Sequence, residues 1–222
     1  MVRWSLAISK LLGGVMFAMV ATGASAQLGE GACGDPFRNH YGPFDYRLTT
    51  AEQRAIVEKV HFTPPVELLQ AGNTSMGPGG DLSYTLNVFP NHHRALMSMM
   101  KFAVRERSSQ PPGAGRSIEC WFDRAERFRP DDAMVKVIHG MYLMQTGRKQ
   151  QAVEKLELAR TLESNNPNVH YNLGLAYFDL KKYDKALESA HMAYGAGFPL
   201  PGLRNKLQRM GQWRPLPSTP SQ

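Results

Sequence analysis

The sequence predicts an all-α fold made of paired antiparallel helices, and three observations support this prediction. Apolar residues recur at three- and four-residue intervals through most of the chain, which is the pattern of amphipathic helices. No series of segments alternates apolar and polar residues as strands do. Two neighbouring segments, 133–166 and 167–199, also align with each other at a period of 34 residues, which is typical of stacked helical hairpins.

The first 26 residues have the features of a secretory signal peptide. Arg3 and Lys10 make the start basic, an uncharged apolar stretch follows, and Ala24-Ser25-Ala26 supplies a small-x-small cleavage pattern. The apolar stretch is shorter than the roughly 20 residues that a membrane-spanning helix needs. We therefore expect cleavage after Ala26 and an exported protein, periplasmic or secreted, that keeps no stable membrane span.

The mature chain is mildly basic, because loss of Arg3 and Lys10 lowers the net charge of +7 by two, to +5. A charge this small over the mature chain permits an acidic partner but does not require nucleic acid. No motif of the usual nucleic-acid-binding folds is present. A nucleic-acid partner is therefore not expected, and no cofactor is expected either.

The segment before the repeats is predicted to contain an arm and several short helices. Residues 27–48 are rich in Gly, Pro and aromatic residues and lack a helical period, so we expect an extended aromatic arm. Residues 49–90 are expected to form short N-terminal helices. Thr49 is predicted to cap the first of them, with Glu52 completing a capping box, and Asp81 is predicted to cap a later one.

A cysteine in the next segment, 91–132, indicates a disulfide. Residues 117–129 are predicted to form a helix, and Cys120 lies away from the centre of its apolar stripe at 100° per residue. An exported chain meets an oxidising compartment, so Cys120 could face the arm and bond Cys33. Two free thiols remain the alternative at this stage.

Small residues recur at matching positions of the two aligned segments. Gly140 aligns with Gly174, and Ala152 aligns with Ala186. Two antiparallel helices can approach closely only where small side chains face each other, so these residues indicate tight packing inside each hairpin. Gly147 is predicted to end a helix in the left-handed conformation.

These residues carry a resemblance to a known family. Residues 168–177 and 183–187 look like a tetratricopeptide repeat in nearly consensus form, and residues 133–166 are similar to it less closely. The resemblance implies a right-handed superhelix of antiparallel helix hairpins, that is, an α-solenoid.

Two further segments are interpreted from the same resemblance, and the Pro- and Ser-rich tail is interpreted from its composition. Residues 91–132 look like a degenerate unit, interrupted by a Pro/Gly-rich loop at 108–116. Residues 200–213 are expected to form the capping helix that a repeat array needs at its end. Residues 214–222 are expected to be a disordered tail.

The resemblance also implies a concave groove lined by the first helix of each unit. The residues expected to line it are Arg94, Met97, Lys101, Arg105, Val137, Met141, Met144, Tyr171, Leu175 and Phe178. The alternative is that several of them form core. The occupant would be a segment of another protein or, alternatively, the arm itself, through Phe37, Tyr41, Phe44 and Tyr46.

No combination of residues indicates a catalytic or metal site. His92 and His93 are the strongest candidates, but no Cys, Asp or Glu accompanies them at ligand spacing. We interpret them as a partly exposed pair at a helix start. No catalytic residue and no metal ligand are therefore predicted.

The expected function is a non-enzymatic exported scaffold or adaptor that binds a protein or peptide segment of an envelope assembly through the groove. Two alternatives remain open from the sequence. One is an exported enzyme with its site in residues 27–93 and the repeats as an appendage. The other is a structural subunit of a larger envelope complex.

Overall fold

The computed structural model describes residues 31–215, and within this range the chain forms α-helices and no strands. The all-α prediction is therefore confirmed. The helices are α1 (Ala51–His61), α2 (Pro64–Glu67), α3 (Gly77–Val88), α4 (His93–Glu106), α5 (Ile118–Phe128), α6 (Ala133–Gln145), α7 (Lys149–Leu162), α8 (Pro167–Asp179), α9 (Tyr183–Gly195) and α10 (Gly202–Arg209). The predicted signal peptide and most of the predicted tail lie outside the described residues.

Helices α6 to α9 form two hairpins that stack on each other, as a tetratricopeptide-like helical repeat does. A Cβ atom added at Gly140 would lie 2.8 Å from Cγ of Leu156, so only glycine lets α7 come this close to α6. At Gly174 it would lie 2.4 Å from Cδ2 of Leu203, which belongs to α10. Glycine at these positions therefore permits both the hairpin packing and the docking of α10.

Helices α4 and α5 precede these hairpins and are separated by the interrupting loop. The loop is closed by a hydrogen bond from N–H of Ile118 to the carbonyl oxygen of Ser109, at 2.7 Å. Its Gly115 N–H donates to Oγ of Ser83 in α3, at 2.9 Å. The insertion therefore packs against α3 instead of extending into solvent.

The first helix begins one residue later than the sequence predicted. Thr50, and not Thr49, is the N-cap of α1, and its side chain accepts from the backbone of Gln53 while Gln53 accepts from the backbone of Thr50. Gln53 therefore completes the capping box that was assigned to Glu52. Both threonines can cap a helix, so the local sequence does not decide between them.

Asp81 does not cap α3, because the helix already begins at Gly77 with Pro78 in its first turn. The carboxylate instead accepts the N–H groups of Asn73 and Thr74 at 2.6 and 3.1 Å. It also lies 2.9 Å from Nδ1 of His61. Asp81 thus joins α1, α3 and the loop between α2 and α3.

The arm is attached to α5 by covalent and polar contacts. Cys33 and Cys120 form a disulfide, with their Cα atoms 4.9 Å apart. Arg124 donates from Nη1 to the carbonyl oxygen of Asp35 at 2.8 Å. The arm then continues to the end of α3, where Phe44 N–H donates to the carbonyl oxygen of Val88 at 2.9 Å.

The buried side chains form two large clusters. One joins the N-terminal helices to α4, α5 and part of α6, around fully buried Trp121 and Phe122. The other runs from α6 to α10, around Leu156 and Leu203. Helix α6 contributes to both clusters, so it couples α4 and α5 to the helices that follow.

Candidate binding groove

The candidate site is the surface formed by α4, α6 and α8, which we call the groove face. Helix α6 packs beside α4 on one side and beside α8 on the other. Helices α6 and α8 are the first helices of the two hairpins, and α4 lies in the corresponding position before them. Side chains that point away from the second helices α5, α7 and α9 therefore share one continuous surface.

A first depression on this face, the methionine pocket, has a volume of about 190 Å³. Its partly exposed apolar side chains are Met141 and Met144 from α6 and Leu175 from α8. At its edge, Nζ of Lys206 lies 3.4 Å from Oδ1 of Asp179. Its lining residues are Met141, Met144, Gln145, Leu156, Asn172, Leu175, Asp179 and Lys206.

A second depression, the arginine pocket, has a volume of about 250 Å³ and lies between α2, α4 and α6. Arg94 donates from Nε to Oε1 of Glu67 at 2.8 Å, and this hydrogen bond is the largest cause that lowers the pKa of Glu67. The short helix α2 therefore forms one wall. The pocket is lined by Glu67, Leu68, His93, Arg94, Met97, Ser98, Lys101, Met134 and Ile138.

The structure brings together six of the ten residues predicted for the groove. Three line the arginine pocket and three line the methionine pocket. Arg105 lies apart from both, because its Nη1 donates to the carbonyl oxygen of Leu69 at 2.9 Å. Val137 is only 1% exposed and belongs to the core, because α8 packs over this part of α6.

The two remaining predicted residues are covered by the chain's own C-terminal segment. The ring of Tyr171 stacks on Phe198, with centroids 4.1 Å apart. Nζ of Lys206 lies 5.3 Å from the ring centroid of Phe178. The sequence predicted a capping helix at 200–213 but not the contacts of Phe198 and Lys206, since a helical pattern does not show which side chains of α8 the helix will meet.

Over residues 31–48 the arm does not occupy the groove face, which corrects the hypothesis of an occupant in cis. None of these described residues lines either pocket. Tyr46 and Phe44 instead pack on Phe89 at the end of α3, with ring centroids 6.0 and 6.2 Å apart. Phe37 packs on Phe128 of α5. These contacts cover the apolar end of α3 and leave both pockets open.

Comparison with protein families bears directly on the α8–α9 hairpin. Residues 167–193 match the family model of the tetratricopeptide repeat. The chain contains a tetratricopeptide repeat. A comparison with curated proteins finds no match.

The matched tetratricopeptide repeat comprises α8 and most of α9. It supplies Asn172, Leu175 and Asp179 to the methionine pocket, while α6 supplies the opposite wall. The pocket therefore lies at the junction between the matched repeat and the unit before it. The arginine pocket lies outside the matched residues.

The two histidines at the start of α4 serve structural roles outside the tetratricopeptide repeat. His92 is fully buried, which corrects the expectation of a partly exposed pair. Its Nδ1 accepts the N–H of Ala95, so it is the N-cap of α4, and its Nε2 lies 3.1 Å from Glu58. Burial is the main cause that lowers the pKa of His92, so the ring is neutral and donates from Nε2 to Glu58.

His93 is bound to the cap of α6. Its Nε2 lies 2.9 Å from both carboxylate oxygens of Asp132. Asp132 in turn accepts the N–H groups of Met134 and Val135 and thereby caps α6. Among residues 31–215, no group of three or more His, Cys, Asp and Glu side chains is arranged to hold a metal ion, and no helix is long and apolar enough to cross a membrane.

A polar cluster joins the degenerate unit to the hairpin before the tetratricopeptide repeat. Glu126 of α5 lies 2.6 Å from Nδ1 of His139 in α6 and 2.5 Å from Nζ of Lys155 in α7. Burial by itself raises the pKa of Glu126, but the hydrogen bond and positive charge of His139, with those of Lys155, outweigh it and lower the pKa to about 2. The ionised carboxylate of Glu126 therefore links α5, α6 and α7.

This cluster predicts a loss of stability in acid. The folded-state pKa of Glu126 is below its ordinary value of 4.5, so its contribution is complete above about pH 4.5 and disappears as the pH falls toward 2. We expect Glu126→Gln to lower the free energy of unfolding by roughly 2–3 kcal/mol at neutral pH. Urea unfolding at a series of pH values should show the gap to wild type closing in acid.

Glu154→Gln is the matched control, because Glu154 is an exposed carboxylate on α7. It should change the free energy of unfolding by less than about 0.5 kcal/mol at any pH. A gap between wild type and Glu126→Gln that stays constant from neutral pH to pH 2 would contradict the role of the ionised Glu126.

Proposed function

We propose that the protein is an exported, non-enzymatic scaffold or adaptor whose groove face binds a segment of another protein in an envelope assembly. The methionine pocket carries this proposal. It is an open apolar depression between two repeat helices, and methionine side chains adapt to different apolar partners because they are flexible and polarisable. Export is supported by the signal-peptide pattern of residues 1–26.

The chemistry of the pocket indicates the kind of segment that would bind. Met141, Met144 and Leu175 offer an apolar surface, and Asp179 and Lys206 place one charge of each sign at its edge. A segment with an apolar anchor and a nearby charged or amide group would match this arrangement. Buried apolar anchors commonly supply most of the affinity of an interface.

Negative charge placed in the methionine pocket should weaken binding of the partner segment. We expect Met141→Glu combined with Leu175→Glu to weaken the partner at least about tenfold, because a desolvated carboxylate would face the apolar anchor. Both side chains are partly exposed, so the fold should tolerate the change. Partners would be captured from the native envelope fraction, purified, and their affinity measured by titration calorimetry.

The control is Leu158→Glu on α7. Leu158 is 50% exposed and lines neither groove pocket, so the same change of residue type should leave the affinity unaltered. Equal loss of affinity in both variants would contradict binding at the groove face.

The mass of the protein in the envelope fraction tests export. A chain that begins at Gln27 supports export, and a chain that retains residues 1–26 contradicts it.

A further inference from the structure

Two arginines beside the arm lack a carboxylate partner. Arg116 precedes α5 and Arg124 lies within it, and neither forms a salt bridge within residues 31–215. Most other arginines nearby are paired, as Arg127 is with Asp123 at 2.7 Å. Arg116 is partly exposed, whereas Arg124 is buried. A guanidinium removed from water without a counter-charge is costly, so Arg124 in particular needs an explanation.

Both guanidinium groups converge on Gly34 of the arm. A Cβ atom added at Gly34 would have three neighbours nearest to it, and all three are guanidinium nitrogens. They are Nη1 of Arg124 at 3.6 Å, and Nη2 and Nε of Arg116 at 3.7 and 4.0 Å. Gly34 has φ +73° and carries no side chain. The position that a side chain would take therefore faces only the two guanidinium groups.

The hydrogen-bonding capacity of these groups is only partly used. Arg116 donates from Nη1 to Oδ1 of Asn87 at 3.1 Å, which leaves the edge formed by Nε and Nη2 directed at the space beside Gly34. Arg124 is 1% exposed, and its Nε is a buried donor without an acceptor in the described chain. The Nε/Nη2 edge of a guanidinium is a fork that matches two oxygens of one oxyanion.

We infer that Arg116 and Arg124, with the backbone of the arm at Gly34, form a binding site for a small tetrahedral oxyanion such as phosphate or sulfate. One oxyanion beside Gly34 would accept two hydrogen bonds from the free edge of Arg116. Its negative charge would also neutralise two cations that have no carboxylate partner among residues 31–215.

The surrounding charges are consistent with an anion at this position. Burial is the main cause that lowers the pKa of Arg124 to about 10, and repulsion from Arg116 and Arg127 adds to it. Attraction from Asp35 and Asp123 opposes this shift but does not cancel it. Among these charges, the repulsion from the two arginines exceeds the attraction from the two carboxylates, and a bound anion would offset this repulsion.

Experiment can distinguish the contributions of Arg116 and Arg124 because the two residues have different structural roles. Arg124 binds the carbonyl oxygens of Cys33 and Asp35 and so holds the arm. Arg116 makes no hydrogen bond to residues 31–48 of the arm; it bonds Asn87 and lies over the ring of Trp121, 5.1 Å from its centroid. Substituting Arg116 therefore tests the anion without detaching the arm.

The test is a titration of the oxidised protein with inorganic phosphate at constant ionic strength, followed by calorimetry and by the NMR signals of arginine Nε–H groups. Wild type should bind saturably, and the Nε–H signal of Arg116 should shift. Arg116→Gln should weaken binding at least about tenfold, and Arg116→Lys should weaken it too, because lysine keeps the charge but lacks the fork. Arg160→Gln is the charge-matched control, since Arg160 is exposed and paired with Glu157.

Several outcomes would overturn the site. These are the absence of saturable phosphate binding, equal binding by wild type and Arg116→Gln, or equal weakening by Arg160→Gln. Chloride that binds as well as phosphate would also overturn it, because a monatomic ion cannot use the fork. Sulfate that competes with phosphate would support it. Circular dichroism in chloride buffer checks that Arg116→Gln is folded.

Discussion

Replacing Cys33 and Cys120 together with serine is expected to lower the free energy of unfolding by about 4 kcal/mol. The disulfide joins residues 87 positions apart, and in the chain-entropy model a loop of this length restricts the unfolded chain by about 4–5 kcal/mol. The arm keeps other contacts with α5 when the bond is removed, including the hydrogen bond from Arg127 to the carbonyl oxygen of Gly34. The folded state should therefore survive with lower stability.

Urea unfolding of wild type, with and without reductant, and of the double variant measures this effect. Reduced wild type and the double variant should have the same unfolding midpoint, well below that of oxidised wild type. The variant Cys33→Ser alone should match the double variant. Free energies of unfolding that agree within about 0.5 kcal/mol for oxidised and reduced protein would show that the covalent bond does not stabilise this fold.

Replacing Gly79 with alanine is expected to destabilise the protein by about 3 kcal/mol, near the upper end of overpacking effects. A Cβ atom at Gly79 would lie 2.1 Å from the carbonyl oxygen of Pro112 and 2.8 Å from N of Ala114. These are backbone atoms of the interrupting loop, so no side-chain rotation can relieve the clash. Either α3 or the loop must move, and the buried contacts between them would be lost.

Gly195→Ala in α9 is the matched control for this prediction. Gly195 is also helical, but a Cβ there would meet no atom within 4 Å. Alanine is the better helix former, so this change should raise stability by up to about 1 kcal/mol. Thermal unfolding of both variants provides the comparison. A Gly79→Ala protein as stable as wild type would mean that α3 and the loop do not pack as described.

The helices and the repeat were predictable because their signals are local or strictly periodic. Residues 117–129 were expected to form a helix, and α5 covers Ile118–Phe128. Gly147 was expected to be left-handed, and its φ is +80°. The small residues inside the hairpins were identified because they recur at a period of 34 residues, as Gly140 and Gly174 do.

Long-range contacts were not predictable by the same reasoning. His92 looked like a partly exposed residue, but Tyr46 stacks on it with ring centroids 3.9 Å apart, and Phe62 packs against its ring. Both partners are remote in sequence. Asp81 carried a capping signal, yet its carboxylate binds a loop that precedes its own helix. The local sequence does not show whether a polar residue will cap its own helix or bond a residue that is remote in sequence.

The candidate groove was predictable where helix spacing alone decides exposure. Met141, Met144 and Leu175 follow from the first helix of each unit, and all three line one pocket. Val137 has the same helical spacing but is buried, because the approach of α8 to α6 covers it. Helix α2 forms a wall of the arginine pocket because it packs against α4, and no local sequence pattern reveals this contact.

The closed end of the array limits how this protein could be lengthened. Leu203 and Leu207 of α10 are fully buried against the last hairpin, so a repeat appended after α9 would first have to displace this helix. A new hairpin would fit better between Glu163 and Pro167, where it would meet a repeat on both sides. In evolution or in protein engineering, the groove would therefore grow by insertion at an internal boundary and not by addition at its end.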